Sequence, residues 1–88
     1  MQRITNEDYW KIKKTIIRKL YAKRAFAKGH MLFEHLQSGI PAHLLGAVKH
    51  VLDDLEKEGI VLHYGNTKHG NAYQLNIHKL KEIESLLL

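Results

Sequence analysis

The sequence has no cysteine and only one proline among its 88 residues. Without cysteine, the chain has neither a disulfide framework nor a thiolate metal site. Long apolar runs are also missing, since no run exceeds three residues, as at Ile60–Leu62. A membrane span needs about 18 apolar residues, and a signal peptide about 7 to 15. We therefore expect a soluble, cytoplasmic protein.

The length is that of one small domain over residues 1–88. A chain of this size buries only about 60 to 65% of the surface that its unfolded form exposes, so a deep active site would leave little to stabilise the fold. Ser38 and Ser85 are the two serines, and neither lies in a G-x-S-x-G setting. We expect a binding module, not an enzyme, and no cofactor.

Histidine is abundant, with seven in the chain. Two metal ligands on one face of a helix stand four residues apart, and neither His30 with His35 nor His43 with His50 has that spacing. We therefore predict surface histidines and no metal site.

The positive charge is concentrated in the first third of the chain. The net charge is +5, yet residues 1–28 hold nine bases against two acids, and residues 29–88 hold five bases against seven acids. Such a basic segment raises the local concentration of polyanions and speeds their encounter. The charge distribution therefore favours an anionic partner, although a solvated helix face would have the same composition.

A long first helix is predicted from about Asn6 to Arg24. Thr5 with Asp8 forms an [ST]-x-x-[DE] capping pattern at its start. At 100° per residue one half of this helix is apolar and is expected to face the core: Tyr9, Trp10, Ile12, Ile16, Ile17, Leu20 and Tyr21. The opposite side carries Lys11, Lys14 and Arg18, which face water or phosphate.

Two further helices with a tight turn between them are predicted in the middle of the chain. The second helix covers about His30 to Gln37, and Gly39 and Pro41 suit the end of one helix and the first turn of the next. The third helix covers Pro41 to Glu58, before Gly59. Its apolar arc consists of Leu44, Leu45, Val48, Val51, Leu52 and Leu55. Outside this arc lie His43, Gly46, Ala47, Lys49, His50, Asp53, Asp54 and Lys57.

After Gly59 the hydrophobic period changes from 3.6 to 2, which predicts a β-hairpin over residues 60–77. Its polar tip is predicted at Gly65–Asn71. A last helix, from about His78 to Leu87, places Leu80, Ile83, Leu86 and Leu87 on one side. Five aromatic residues could stack on bases, as in single-strand binders, or pack in the core: Tyr9, Trp10, Tyr21, Tyr64 and Tyr73. Their placement on apolar faces favours core packing for most of them.

This order of elements resembles the winged helix-turn-helix domains of small bacterial and archaeal transcriptional regulators. The segment Val48–Val61, VKHVLDDLEKEGIV, is similar to the end of the family's recognition helix. The segment His63–Asn76, HYGNTKHGNAYQLN, is similar to the family's hairpin, which is called the wing. The resemblance implies an α+β, mainly α fold with a three-helix core, a two-stranded wing and a C-terminal helix.

The resemblance also implies that the protein binds double-stranded DNA as a regulator of transcription. The third helix, residues 41–58, would enter the major groove with His43, Gly46, Ala47, Lys49 and His50. The wing, residues 60–77, would contact the backbone or the minor groove through Asn66, Thr67, Lys68 and His69. Phosphate contacts would come from Lys11, Lys14 and Arg18.

Two further expectations concern partners. The groove side of the third helix is poor in Arg, Asn, Gln, Ser and Thr, which read base edges best. A winged helix used for protein or RNA contact in a larger assembly is therefore the alternative. The terminal leucines Leu86–Leu88, with the apolar half of the first helix, predict a homodimer surface.

Overall fold

The structure, a computed structural model, describes residues 4–27 and 29–88. Arg3 and Lys28, two of the bases counted in the N-terminal segment, lie outside this range. The described residues form a mainly helical α+β fold with a three-stranded antiparallel sheet. The elements are α1 (Asn6–Ala22), β1 (Met31–Leu32), α2 (Phe33–Leu36), a 3-10 turn (Ala42–Leu44), α3 (Leu45–Lys57), β2 (Val61–Thr67), β3 (Gly70–Leu75), a second 3-10 turn (Ile77–Lys79) and α4 (Leu80–Leu87).

Helix α1 begins as its capping pattern predicts and ends two residues early. The Thr5 hydroxyl accepts a hydrogen bond from the Asp8 backbone N–H at 3.0 Å. At the other end Arg24 has φ +52°, and the Ala25 N–H donates to the Leu20 carbonyl at 2.9 Å. This is a Schellman motif with arginine where glycine is usual, so no glycine in the sequence marked the end of the helix.

The second helix is shorter than predicted. Met31 and Leu32, expected to be helical, form strand β1 and pair with Tyr73 and Ala72 of β3. Only Phe33–Leu36 is α-helical. The cause is non-local: β3 supplies backbone hydrogen bonds to residues whose own spacing favours a helix.

The third helix and its two flanking glycines largely confirm the sequence pattern. Gly39 and Gly59 have φ +83° and +78°, a conformation that costs residues with a Cβ more than glycine. The predicted start at Pro41 needs correction, because residues Ala42–Leu44 form a 3-10 turn and α3 proper begins at Leu45.

The strands of the hairpin pair further toward its tip, and its turn is tighter, than predicted. Strand pairing continues to Thr67 opposite Gly70, so the turn is Lys68 and His69 and not the whole segment Gly65–Asn71. The Thr67 hydroxyl donates to the Gly70 carbonyl at 2.9 Å and accepts from the His69 N–H at 3.1 Å. A register shift lies between His63 and Gly65. The sheet order is β1-β3-β2, so strand β3 of the hairpin is central and β1 and β2 form the edges.

The core lies between α1, α3, the sheet and α4. Its main members are Ile12, Ile16, Ile17 and Leu20 of α1, Val48, Val51, Leu52 and Leu55 of α3, Val61, Tyr73 and Leu75 of the sheet, and Ile83 of α4. Among residues 4–27 and 29–88, none of the helices combines the length and the hydropathy that crossing a membrane demands.

Lys19 ties α1 to the end of α2. Its Nζ donates to the carbonyls of His35 at 3.1 Å and Leu36 at 3.4 Å, and also to that of Ser38. His35 and Leu36 are the last two residues of α2, and Ser38 lies in the turn that follows. Carbonyls at a helix end lack most of their helical partners, although the His35 carbonyl also accepts from the Ser38 N–H at 3.4 Å. Burial lowers the pKa of Lys19. The ammonium therefore fixes the turn that precedes α3.

We predict that Lys19→Met lowers the free energy of unfolding by about 1 to 2 kcal/mol, since methionine keeps the aliphatic packing but loses the hydrogen bonds of a charged donor. Urea denaturation measures this change. Lys81→Met, at an exposed position of α4, is the matched control and should alter stability by less than about 0.5 kcal/mol. Equal stability of the two variants would contradict a role for Lys19 in fixing the turn.

Candidate nucleic-acid interface

The outward side of α3 is uncovered by the rest of the described chain. His43, Gly46, Lys49 and His50 are all exposed. Ala47, predicted on this side, is instead 5% exposed and belongs to the core. It lies one turn before Val51, and the helix period carries it inward. Leu45, predicted in the core, is 37% exposed.

Lys49 is held by an acid on its own helix. Its Nζ lies 2.7 Å from Asp53 Oδ1, at i,i+4 spacing. This hydrogen bond raises the pKa of Lys49. Burial raises the pKa of Tyr73, and the nearby Lys49 ammonium opposes that shift. Lys49 thus lies between α3 and the base of the hairpin, with its charge partly neutralised by Asp53.

His50 lies beside a carboxylate that α1 already uses. The Tyr9 hydroxyl donates to Asp54 Oδ2 at 2.5 Å, and His50 Nε2 lies 3.7 Å from the same oxygen. The rings of Tyr9 and His50 meet edge to face, with centroids 6.3 Å apart. Burial, followed by the bond to Asp54, raises the pKa of the Tyr9 phenol. The Asp54 carboxylate therefore positions both rings.

The two halves of α3 differ in charge. Asp53, Asp54 and Glu56 belong to its second half, where Lys57 is the one base. The first half, from Leu45 to His50, carries no acid. A polyanion is therefore repelled less by the beginning of α3 than by its end.

The hairpin turn presents polar side chains to solvent. Asn66, Lys68 and His69 are exposed, as predicted. Thr67 is half-buried, and its hydroxyl makes the two bonds that close the turn. Lys68 has no carboxylate within 4 Å among the described residues. Three of the four predicted wing residues are thus available to a ligand, whereas Thr67 has a structural role.

Some of the cations on helix α1 form ion pairs and others do not. Lys11 and Arg18 are exposed, Lys14 is half-buried, and within the described part of the chain none of the three forms an ion pair. Lys13, by contrast, is 7% exposed, and its Nζ lies 2.7 Å from Glu58 Oε1. The sequence reasoning missed this pair, because nothing local links residues forty-five positions apart.

Two aromatic residues expected in the core are exposed. Trp10 is 46% and Tyr64 48% exposed. The Lys13 ammonium lies 4.9 Å from the Trp10 ring centroid, within the range of a cation–π interaction. The ring of His30 stacks on Tyr64 with centroids 4.3 Å apart and planes 14° apart. The outer face of the sheet therefore carries an exposed aromatic pair.

The predicted dimer residues flank a shallow depression between α1 and α4. Its volume is about 490 Å³, and its lining includes Trp10, Lys81, Glu82, Ser85 and Leu86. Leu86 and Leu87 are half-buried against the core, whereas Leu88 is fully exposed. This surface, which we call the α1–α4 surface, combines apolar side chains with charges of both signs.

Histidine, aspartate and glutamate side chains do not converge in groups of three anywhere in residues 4–27 and 29–88. Comparison of the chain with protein-family models, with curated proteins and with solved structures finds no match.

Proposed function

We propose that the chain is a winged helix-turn-helix domain that binds double-stranded DNA and regulates transcription. The observation that carries the proposal is the first half of α3, which is uncovered and bears no acid. After α3 the chain passes through a short buried segment into the hairpin, whose turn is exposed. The sheet order β1-β3-β2, with β1 between α1 and α2, supports the winged arrangement.

In this proposal the beginning of α3 lies in the major groove, which is wide enough to admit a helix. His43 and His50 offer ring nitrogens to base edges, and Gly46 allows the backbone to approach closely. The hairpin turn places Lys68 and His69 against the backbone or the minor groove. Ala47 is not part of this contact, because it is buried.

In this proposal, the elements that supply affinity for phosphate differ from the helix that lies in the groove. The second half of α3 is acidic, so the helix contributes little net attraction to phosphate. Attraction comes from Lys68 and from the free cations of α1, which act without reading the bases. Strong salt dependence with modest sequence preference is the expected binding behaviour.

The first test compares duplex DNA with the triple variant Lys49→Ala, His50→Ala and Lys68→Ala. Lys49 is already held by Asp53, so two contacts are lost, those of His50 and Lys68, at about 1 kcal/mol each. Duplex binding should weaken by roughly thirtyfold at constant salt. Fluorescence anisotropy with a labelled duplex measures it. The control removes the same side-chain types elsewhere: Lys23→Ala, His78→Ala and Lys81→Ala. Equal losses in the two triple variants would remove α3 and the wing from the interface.

A second prediction concerns Asp53. Asp53→Asn removes the carboxylate that holds Lys49, so the ammonium becomes free to contact a phosphate. One added contact should steepen the slope of log K against log salt by about 0.9. Glu82→Gln, which releases Lys79 in the 3-10 turn before α4 and changes the net charge equally, should leave the slope unchanged. A weaker duplex affinity for the Asp53 variant would contradict the proposal for Lys49.

A second candidate function is contact with single-stranded RNA or with protein. The exposed His30–Tyr64 pair favours it, because unpaired bases stack on aromatic rings. Titration with single-stranded RNA of matched length separates the two candidates. Tighter binding to RNA than to duplex DNA, reduced by Tyr64→Leu, would favour the second candidate over the first.

We also propose that the protein forms a homodimer through the α1–α4 surface. Its mixed charges allow one copy to complement another across a twofold axis. Sedimentation at micromolar concentration should give the mass of two chains, and Trp10→Glu should give that of one. Tyr64→Glu, at a similarly exposed position outside the surface, is the control and should remain dimeric. A monomeric wild-type protein would refute the dimer.

A further inference from the structure

A depression of about 360 Å³ lies where α1 passes the turn before α3. Lys11, Ile12, Thr15 and Arg18 line it on the α1 side, and Gly39, Ile40, Pro41 and Leu44 line it on the other. We call it the turn depression. Ile12, Ile40 and Leu44 are buried and form its floor, whereas Lys11 and Arg18 are exposed at its rim.

Both cations at the rim of the turn depression are free. Neither Lys11 nor Arg18 has a carboxylate within 4 Å in the described part of the chain. Thr15 is not a free donor, because its hydroxyl donates to the Lys11 carbonyl at 2.7 Å. The rim is therefore positive, and the charge is supplied by two side chains seven positions apart on one helix face.

Two other cations near this turn have structural partners, whereas the half-buried Lys14 forms no ion pair among the described residues. Lys19 is bound to carbonyls at the end of α2, and Lys13 is bound to Glu58. These bonds hold the turn and the helix crossing, so neither ammonium can move to an outside anion without loss of stability. Lys11 and Arg18 can do so at no such cost.

The turn depression adjoins the proposed DNA-binding end of α3. Pro41 and Leu44 line it, and the exposed His43 lies between them in the sequence. A duplex that places a major groove on the first turns of α3 must carry one of its strands past one side of that helix end. The turn depression offers that strand two free cations, Lys11 and Arg18.

We propose that the turn depression binds the sugar-phosphate backbone of duplex DNA, with Arg18 and Lys11 on adjacent phosphates. The inference rests on the proposed function and adds to it a specific backbone contact. Arginine matches phosphate geometry with two parallel N–H donors, and lysine adds a point charge. The apolar floor at Ile40 and Pro41 suits the sugar carbons between the phosphates.

The test measures the salt dependence of duplex binding for Lys11→Gln with Arg18→Gln. Loss of two phosphate contacts should reduce the slope of log K against log salt by about 1.8. The control is Lys23→Gln with Lys57→Gln, which removes the same net charge from exposed positions outside both the turn depression and the α1–α4 surface. Its slope should fall by less than half as much.

Two outcomes separate this inference from the proposed function. If the wild-type protein binds duplex DNA and both double variants lower the slope equally, the turn depression is not the contact and the inference fails alone. If the wild-type protein does not bind duplex DNA at all, the proposed function fails and the inference fails with it. Arg18→Lys, which keeps the charge but loses the paired donors, should retain the slope and weaken binding severalfold.

Competition with inorganic phosphate tests whether the turn depression binds a small free anion instead of the phosphates of duplex DNA. At equal ionic strength, phosphate and chloride should displace a labelled duplex from the wild-type protein to the same extent, because a single free phosphate does not span both cations. Preferential displacement by phosphate that is absent from the Lys11→Gln, Arg18→Gln variant would assign the depression to a small anion and overturn the proposal.

Discussion

The crossing of α1 over α3 is the contact on which the rest of the molecule depends. Apolar side chains from both helices meet in the core, and two polar bonds join the first half of α1 to the end of α3. Tyr9 donates to Asp54 and Lys13 binds Glu58. Since both acceptors are acids near the end of α3, the crossing engages carboxylates there and leaves the start of the helix uncovered.

Most of the fold could be predicted from the periodicity of the sequence. The long α1, the body of α3, the hairpin and α4 all follow from apolar spacing and from capping residues such as Thr5 and Gly59. Strand β1 could not be predicted this way. It contains two residues, and it exists because β3 arrives beside it, whereas local spacing in the same segment favours a helix.

The sequence predicted most of the residues that are exposed at the candidate site, but not which cations of the chain are free. Residue spacing places His43, Gly46, Lys49 and His50 on one side of α3, and the structure exposes all four. Whether a cation is free depends on its partners, and those of Lys13 and Lys19 are remote in sequence. The Lys49–Asp53 and Lys79–Glu82 pairs are local, and their i,i+4 and i,i+3 spacing is visible in the sequence. The roles of Lys13 and Lys19 required the packed structure.

This division of the cations has a consequence for how DNA binding would be built. Lys11 and Arg18 on α1 and Lys68 at the hairpin turn are exposed cations without an ion-pair partner among the described residues. The first half of α3 offers imidazoles, one paired lysine and the exposed backbone at Gly46. Phosphate contacts position a protein on the duplex, and base contacts specify the sequence. In the proposed complex the two tasks would fall on different elements. Substitutions on the exposed start of α3 would then change sequence preference while α1 and the hairpin maintain affinity, because the core that holds α3 does not involve those exposed positions.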